Sequence, residues 1–412
     1  MTNSKVFNFG IVWLIFIPYF NFGMTKSEVI PLYLTFFLFL LNKKLKFIDY
    51  FVLTILSLVF ILSSFSFEIP WTISLTTFIA VIAPLFVFFY SKFLDSKKIR
   101  SSIRIITCIL FFIGLFQSFL PYFLDVTKIN YLFSLLIERY SGVELGGGAS
   151  RGIRLIAPEP SYAAYTLLGL LISITCFYKV EKDPLDLVCI LALLFLLILV
   201  KSATGILGVA LYLLSLAISS EKFFINLSKV IISLLIFLIV VTPFITLENY
   251  RFYLVLNRLY EMYSSGDSLL SAYSILDSGR LLSVLVGYQQ VMDFSLPQFG
   301  NWSQSFSNEL KYSGYSFDDI YFLSEVAGNI KPFSWGAALA FDMKFLSFLF
   351  FFPILYSLFL IYIRGGDGVQ GINNIKLIAP CFFIFFSSPV SLPIFWFVIS
   401  INYKIYSETK NS

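Results

Sequence analysis

Four groups of residues in this chain have the types and spacing to do chemistry. The first is the run Arg151-Gly152-Ile153-Arg154-Leu155-Ile156-Ala157-Pro158-Glu159-Pro160-Ser161. Pro160 suits the first turn of a helix, where its missing N–H costs nothing, and Glu159 beside it can cap the free amides and answer the helix dipole. Arg151 and Arg154 precede that N-terminus, so cationic side chains and free N–H groups can converge on one anion. The plainer reading leaves Glu159 as a cap and lets the arginines snorkel to lipid headgroups. Gly146-Gly147-Gly148, just upstream, reads as a flexible linker.

The second group is Asp277-Ser278-Gly279-Arg280. Asp277 or Ser278 is a good N-cap, and the stretch to Asp293 is amphipathic at helical period. Leu281, Leu282, Val284, Leu285, Tyr288, Val291 and Met292 fall on one arc, and Arg280, Ser283, Gly287 and Gln290 on the other. An arginine in a first turn opposes the dipole, so it either meets a carboxylate or helps hold an external anion. The third group is Lys201-Ser202-Ala203-Thr204-Gly205, a tight turn whose lysine either neutralises a phosphate or snorkels. The fourth is diffuse: Trp302, Tyr312, Tyr315, Phe317, Asp318, Asp319, Tyr321, Glu325 and Trp335. Rings interspersed with carboxylates suit sugars, and equally suit an interfacial aromatic belt. Asp318 and Asp319 are two adjacent carboxylates, too small a set to predict a metal site, and none is expected.

Composition removes other chemistries. The chain has no histidine, which excludes His-dependent triads, zinc sites and proton relays. Four cysteines, Cys108, Cys176, Cys189 and Cys381, lie in or beside apolar segments without metal-ligand spacing. A net charge of +5 is too small to suggest nucleic acid as a partner. No cofactor is implied.

These groups sit in a chain of 412 residues that is 58% hydrophobic, 19% aromatic and only 13% charged. Apolar runs long enough to cross a bilayer recur along it, so the expected fold is all-α and polytopic, with about eleven (ten to twelve) transmembrane helices. Predicted spans run Val6 to Phe22, Val29 to Leu41, Phe47 to Phe67, Ile69 to Tyr90, Ile103 to Leu124, Pro160 to Tyr178, Leu185 to Val200, Ala203 to Ile218, Val230 to Leu247 and Phe345 to Ile363. The last apolar stretch, Ile375 to Tyr403, is broken by Pro389 and Pro393 and reads as two half-spans or a re-entrant hairpin. The first span has no small-residue cleavage site and reads as one that is retained. Loops holding Lys43 to Lys46, Lys92 to Arg104, Lys179 to Lys182, Lys222 to Lys229 and Arg364 to Lys376 alternate with sparse ones, which puts them in the cytoplasm with both termini.

The organisation that follows is N-terminal helices over 1–124, an external loop over 125–159, central helices over 160–247, a large external loop over 248–343, and C-terminal helices over 344–412. The large loop is rich in Tyr, Phe and Trp, which predicts folded structure. Between Glu248 and Asp342 it holds five basic residues against ten acidic ones, so any anion site there depends on single arginines.

The chain resembles the Wzy-type O-antigen polymerases, bacterial inner-membrane enzymes that polymerise lipid-linked oligosaccharide repeat units. Three matches carry the resemblance: the Arg-bearing external loop running into Pro158-Glu159-Pro160-Ser161, the Lys201-Ser202-Ala203-Thr204-Gly205 turn, and Ser278-Gly279-Arg280 followed by Pro297-Gln298-Phe299-Gly300. Where relatives often carry a second glycine after that last step, this chain has Asn301-Trp302, and it lacks the loop histidine of the related O-antigen ligases. The resemblance implies a multi-pass enzyme of the bacterial inner membrane, active at the periplasmic face in polysaccharide and lipopolysaccharide biosynthesis. It would transfer a growing glycan from undecaprenyl diphosphate to the non-reducing end of a new lipid-linked repeat unit, without a nucleotide sugar. Its partners would be those lipid-linked substrates, membrane lipid, and a chain-length regulator and flippase of the same pathway.

In that reaction Arg151, Arg154, Arg280 and Lys201 would stabilise the diphosphate leaving group, and Glu159, then Asp318 or Asp319, would serve as base. Arg280, Glu159 and Arg154 are the expected catalytic residues, and Trp302, Tyr315, Asp318 and Asp319 the expected sugar contacts. The alternatives are a lipid-linked oligosaccharide flippase or other exporter, and an O-antigen ligase. A flippase leaves the long loop with its amphipathic helix unexplained.

Overall fold

The computed structural model describes residues 5–19, 69–91, 94–119, 133–137, 152–218, 280–303, 334–348 and 392–411, with isolated helical positions between them. Among the described residues the structure is helical, with no β-strand. Nine helices are used below: α1 (Lys5–Phe16), α2 (Trp71–Ser91), α3 (Ser96–Phe119), α4 (Pro160–Val180), α5 (Pro184–Leu199), α6 (Ala203–Ile218), α7 (Arg280–Gln289), α8 (Trp335–Met343) and α9 (Ile394–Asn411). Two helical stretches among the described residues, Ser96–Ser118 and Pro160–Tyr178, are long and apolar enough to cross a membrane.

Local chemistry explains most helix boundaries. Pro160 and Pro184 open α4 and α5, and the Asp183 side chain caps α5 by accepting from Leu185 N at 3.0 Å. α1 stops at Phe16, six residues short of the predicted span, because Pro18 removes a donor and disfavours helical backbone in the residue before it. α3 begins at Ser96, earlier than the predicted Ile103, so Arg100 and Arg104 belong to a helix and not to a loop. α9 starts directly after Pro393, as the Pro-broken reading of the last stretch requires, and its first residue Ile394 lies against Gly169, midway along α4. Apart from isolated helical positions in the first two, the stretches expected at 29–41, 47–67 and 230–247, and all of 349–391, lie outside the described residues.

The central bundle packs α4 against α5, α6 and α9, α3 against α1 and α5, and α9 against α2. Its core includes Phe16, Leu168, Ile172, Leu193, Leu197 and Phe397, with Phe16 and Phe397 edge to face at 5.4 Å. α1 runs antiparallel to α4: Thr166 Oγ1 donates to Phe16 O at 2.9 Å, and the Tyr19 and Tyr162 rings meet at 5.7 Å.

One end of this bundle is closed by charge. Arg100 donates to Asp186 Oδ2 from Nε at 2.9 Å and from Nη2 at 2.7 Å, and it pairs with Glu181. Arg104 donates to Asp186 Oδ1 from Nε at 2.6 Å and to Asp183 Oδ2 from Nη2 at 2.6 Å. Asp186 has no exposed surface. The arginines counted as a topological signal therefore tie the start of α3 to the α4–α5 turn. Since α4 and α5 form a hairpin, the start of α4 and the end of α5 both lie at the opposite end of the bundle, with the end of α3.

Polarity is inverted on two helices relative to a protein that meets water. On α3, beyond Lys97 and Ser101 in its first two turns, the outward residues are Ile105, Cys108, Phe112 and Phe116, while Ser102, Thr107 and Gln117 face inward. On α5 the single charged residue, Asp186, is buried, and Leu185, Leu187, Val188, Leu191 and Phe195 are exposed. Contiguous exposed apolar faces of this size are rare on soluble monomers.

Candidate functional site

At the end of the bundle opposite the Asp186 network, two sequence-distant candidate motifs meet. Gly152 approaches the end of α5 so closely that a Cβ would overlap the Val200 carbonyl and lie 2.6 Å from Leu199 O. Ile153 N donates to Leu199 O at 3.2 Å, which pins the arginine-bearing loop to the turn that carries Lys201. Only glycine allows this approach, and it brings the stretch before α4 beside the lysine turn.

Gln117, near the end of α3, fixes that loop from the other side. Its Nε2 donates to Leu155 O and its Oε1 accepts from Leu155 N, both at 2.8 Å and both buried. Leu155 is held at φ 55°, in the left-handed region that costs an L-residue about 1–2 kcal/mol. The bidentate amide compensates the strained backbone and turns the chain so that Arg154 points inward.

Arg154 is 3% exposed, which removes the snorkelling alternative for it, and its Nη1 donates to Pro158 O at 3.4 Å. Glu159 occupies the N-cap position of α4 with extended backbone, φ −140° and ψ 157°, but its side chain makes no cap hydrogen bond. The carboxylate instead accepts from Ser161 Oγ at 3.5 Å, so the reading of Glu159 as a cap alone is corrected: the helix start is supplied by Pro160. Lys201, half-buried, follows the C-cap Val200 and adopts φ 50°. That position usually belongs to glycine. A lysine there keeps a cation at the turn against backbone strain.

A second cluster surrounds the segment 297–303. Asp342, at the end of α8, is fully buried and accepts from Gly300 N at 3.0 Å on Oδ2 and from Trp302 N at 3.3 Å on Oδ1, with Asn301 N also donating. Gly300 is at φ +89°, and a Cβ there would lie 2.9 Å from Ile73 Cγ2, so glycine is needed for both conformation and space. Trp302 Nε1 donates to Thr77 Oγ1 at 3.2 Å, which sets the segment on the first turns of α2. α7 begins at Arg280, as the first-turn reading requires, and packs on α8. Its buried face differs from the predicted arc: Val286 and Gly287 are buried and Met292 is 73% exposed. Gly287 lacks a side chain and lets Ala337 of α8 approach, so a residue assigned to the polar face becomes the contact.

Of the expected site residues, the structure thus groups Arg154, Glu159 and the Lys201 turn, and seats Trp302 in the second cluster. The side chains of Arg151 and Arg280, and residues Tyr315, Asp318 and Asp319, lie outside the described residues. Sequence reasoning missed Gln117 and Asp342. The available signal was a lone carboxylate or amide within an apolar run, with its partners about 40 residues away in each case.

Burial pushes the Asp342 carboxyl up from 3.8 to about 7, against the pull of the three amides, which favour the anion. The folded state therefore holds a proton that the unfolded chain has released. The Asp342 contribution to stability is fully present below about 4 and is lost as pH rises through about 7. Thermal unfolding of the detergent-solubilised protein at pH 5 and pH 8 checks this: the drop at the higher pH should be smaller in Asp342→Asn, which has no carboxyl to titrate.

Comparison of the chain with protein-family models, with curated proteins and with solved structures returns no match.

Proposed function

We propose that this chain is a multi-pass membrane glycosyltransferase of the O-antigen polymerase type. It transfers a glycan from undecaprenyl diphosphate to the non-reducing-end sugar of a new lipid-linked repeat unit at the periplasmic face. The observation that carries the reading is the packing of the Arg154–Glu159 loop against the Lys201 turn through Gly152. Two of the three motifs that make the chain resemble this family thereby share one end of the bundle. The outward apolar faces of α3 and α5 support a lipid environment for it.

The proposed chemistry follows from those residues. The Glu159 carboxylate takes the proton of the acceptor hydroxyl as its oxygen attacks the anomeric carbon, and the bond from that carbon to the diphosphate oxygen breaks. Charge leaves on the diphosphate, where Lys201 and Arg154 at the start of α4, with Arg151 and Arg280, stabilise it. Trp302 offers a ring to a sugar face, with Tyr315, Asp318 and Asp319 as further sugar contacts.

Chromosomal loss of a polymerase leaves cells with single repeat units attached, loss of a flippase leaves none, and loss of a ligase leaves unlinked polymer. The first phenotype is expected here. Arg154→Ala and Arg280→Ala should each abolish long-chain polymer, with Arg280→Lys a partial rescue because lysine supplies charge but not the bidentate fork. Lys201→Gly separates charge from backbone: relief of the strained φ should stabilise the protein by about 1 kcal/mol while polymer falls. Normal polymer in all of these variants would remove these residues from the reaction, and a deletion phenotype other than single attached repeat units would refute the polymerase reading itself.

A further inference from the structure

The strap from Met292 to Leu296 exposes three large apolar side chains and ties the polar ones between them to one another and to Lys344. Met292, Phe294 and Leu296 are 73%, 76% and 72% exposed. Between them, Asp293 Oδ2 pairs with Lys344 Nζ at 2.8 Å and accepts from Ser295 Oγ at 2.9 Å, while Asp293 Oδ1 accepts from Ser295 N at 2.8 Å. Lys344 Nζ also donates to Ser295 Oγ. These bonds, with the alternation of side chains, leave positions 292, 294 and 296 as the free apolar edge.

The strap is not a loose loop. Phe345 N donates to Asp293 O at 3.0 Å and Gln298 N donates to Asp342 O at 2.8 Å, so both ends are bonded to the close of α8 and the turn after it. The Phe294 ring lies 4.6 Å from that of Phe345, which lies 5.6 Å from Phe348. Both partners are themselves 41% exposed. They open the apolar run from Phe345 to Ile363, the sequence expected to span the membrane. The exposed edge is therefore continuous with the start of that expected span, and the Lys344–Asp293 pair sits beside it, as charged groups do at headgroup depth.

We infer that Met292, Phe294 and Leu296, backed by Phe345 and Phe348, form an apolar fin that inserts into the bilayer leaflet around the start of that span. The fin anchors the large loop to the lipid surface and fixes the height of α7 and the 297–303 segment above the membrane. This rests on the reading of the chain as a membrane protein. It does not depend on the glycosyltransferase assignment.

The test is nitroxide scanning of the full-length protein in phosphatidylglycerol and phosphatidylethanolamine vesicles, with the native cysteines replaced by serine. Labels are placed through Met292→Cys, Phe294→Cys, Leu296→Cys, Ser295→Cys and, on the outward face of α3, Phe112→Cys. Oxygen, which partitions into lipid, should relax the labels at 292, 294, 296 and 112 more than a water-soluble nickel chelate does, and the order should reverse at 295. A lipid-like signal at 112 with water-like signals at 292, 294 and 296 overturns the fin alone. Water-like signals at all five positions overturn the membrane reading with it. Spin–spin broadening at 294 that vanishes on dilution with unlabelled protein assigns the edge to a second copy of the chain and overturns lipid insertion. Met292→Cys guards against misfolding of the aromatic variant, since the Met292 side chain is exposed and outside the Phe294, Phe345 and Phe348 stack.

Discussion

Glu159→Gln is expected to lower polymer formation by roughly 100-fold to 10,000-fold at matched membrane levels, the range for loss of a general base. Its structural cost should be small. Loss of a capping side chain typically costs about 1 kcal/mol, but the Glu159 carboxylate makes no such bond. The helix start is set by Pro160, and Glu159 O, a backbone atom, accepts from Ala163 N at 3.2 Å in any variant. Glutamine also keeps an oxygen for the Ser161 hydroxyl. A deep loss of polymer with an unchanged unfolding temperature would thus point to charge or basicity and not to folding. To separate a base from a group that merely orients Arg154, the Glu159→Gln loss is compared with that of Arg154→Gln and of the double variant. Additive losses assign separate roles, and a double variant no worse than either single one makes the two a unit. Near-normal polymer from Glu159→Gln would remove it from the reaction and move the search for a base to Asp318 and Asp319.

How far the site could be read in advance depends on how local each cause is. The starts of α4 and α5 were legible because proline and an N-cap are local signals, and Ala203–Ile218 was legible because an uninterrupted apolar run leaves few alternatives. The start of α3 was not, because a hydropathy reading treats Lys97 to Arg104 as loop, while burial of Asp186 makes Arg100 and Arg104 part of a helix face. The motifs at 151–161, 201–205 and 297–300 were visible as residue types. The adjacency of the first two was not: Gly152 against Val200 and Gln117 against Leu155 are tertiary contacts with no signature in spacing. Asp342 reads in the sequence only as the edge of a loop, since three amide donors from residues 300–302 cannot be read from a carboxylate in an alanine-rich run.

Asp186→Ala is expected to give the largest loss of stability, about 3–5 kcal/mol, because it leaves two arginines without their shared buried partner. A surface pair of the same geometry would give about 1 kcal/mol or less, and the difference turns on burial: Asp186 is 0% exposed and Arg100 11%. Asp183 softens the loss at Arg104 and, from 4.0 Å, at Arg100, where Glu181 also pairs, but only Asp186 hydrogen-bonds both guanidinium groups, within 2.9 Å. The Asp183 carboxyl is itself held below its ordinary value by the Leu185 N–H and then by Arg104, so its contribution is present above about 4 and disappears as pH falls through that lowered value. Thermal unfolding in detergent at neutral pH measures the Asp186→Ala effect. Replacing the whole triad, Asp186→Leu with Arg100→Met and Arg104→Met, should recover most of it, since apolar side chains of similar volume leave no buried charge stranded and the Glu181 and Asp183 carboxylates, 63% and 33% exposed, are left to water. Lys97 and Lys98 remain as positive charges at that end of α3. The network lies about 20–25 Å along α3 from Gln117 at 1.5 Å per residue. Polymer made below the unfolding temperature should therefore survive Asp186→Ala. An unchanged unfolding temperature in that variant would show that the network does not close the bundle.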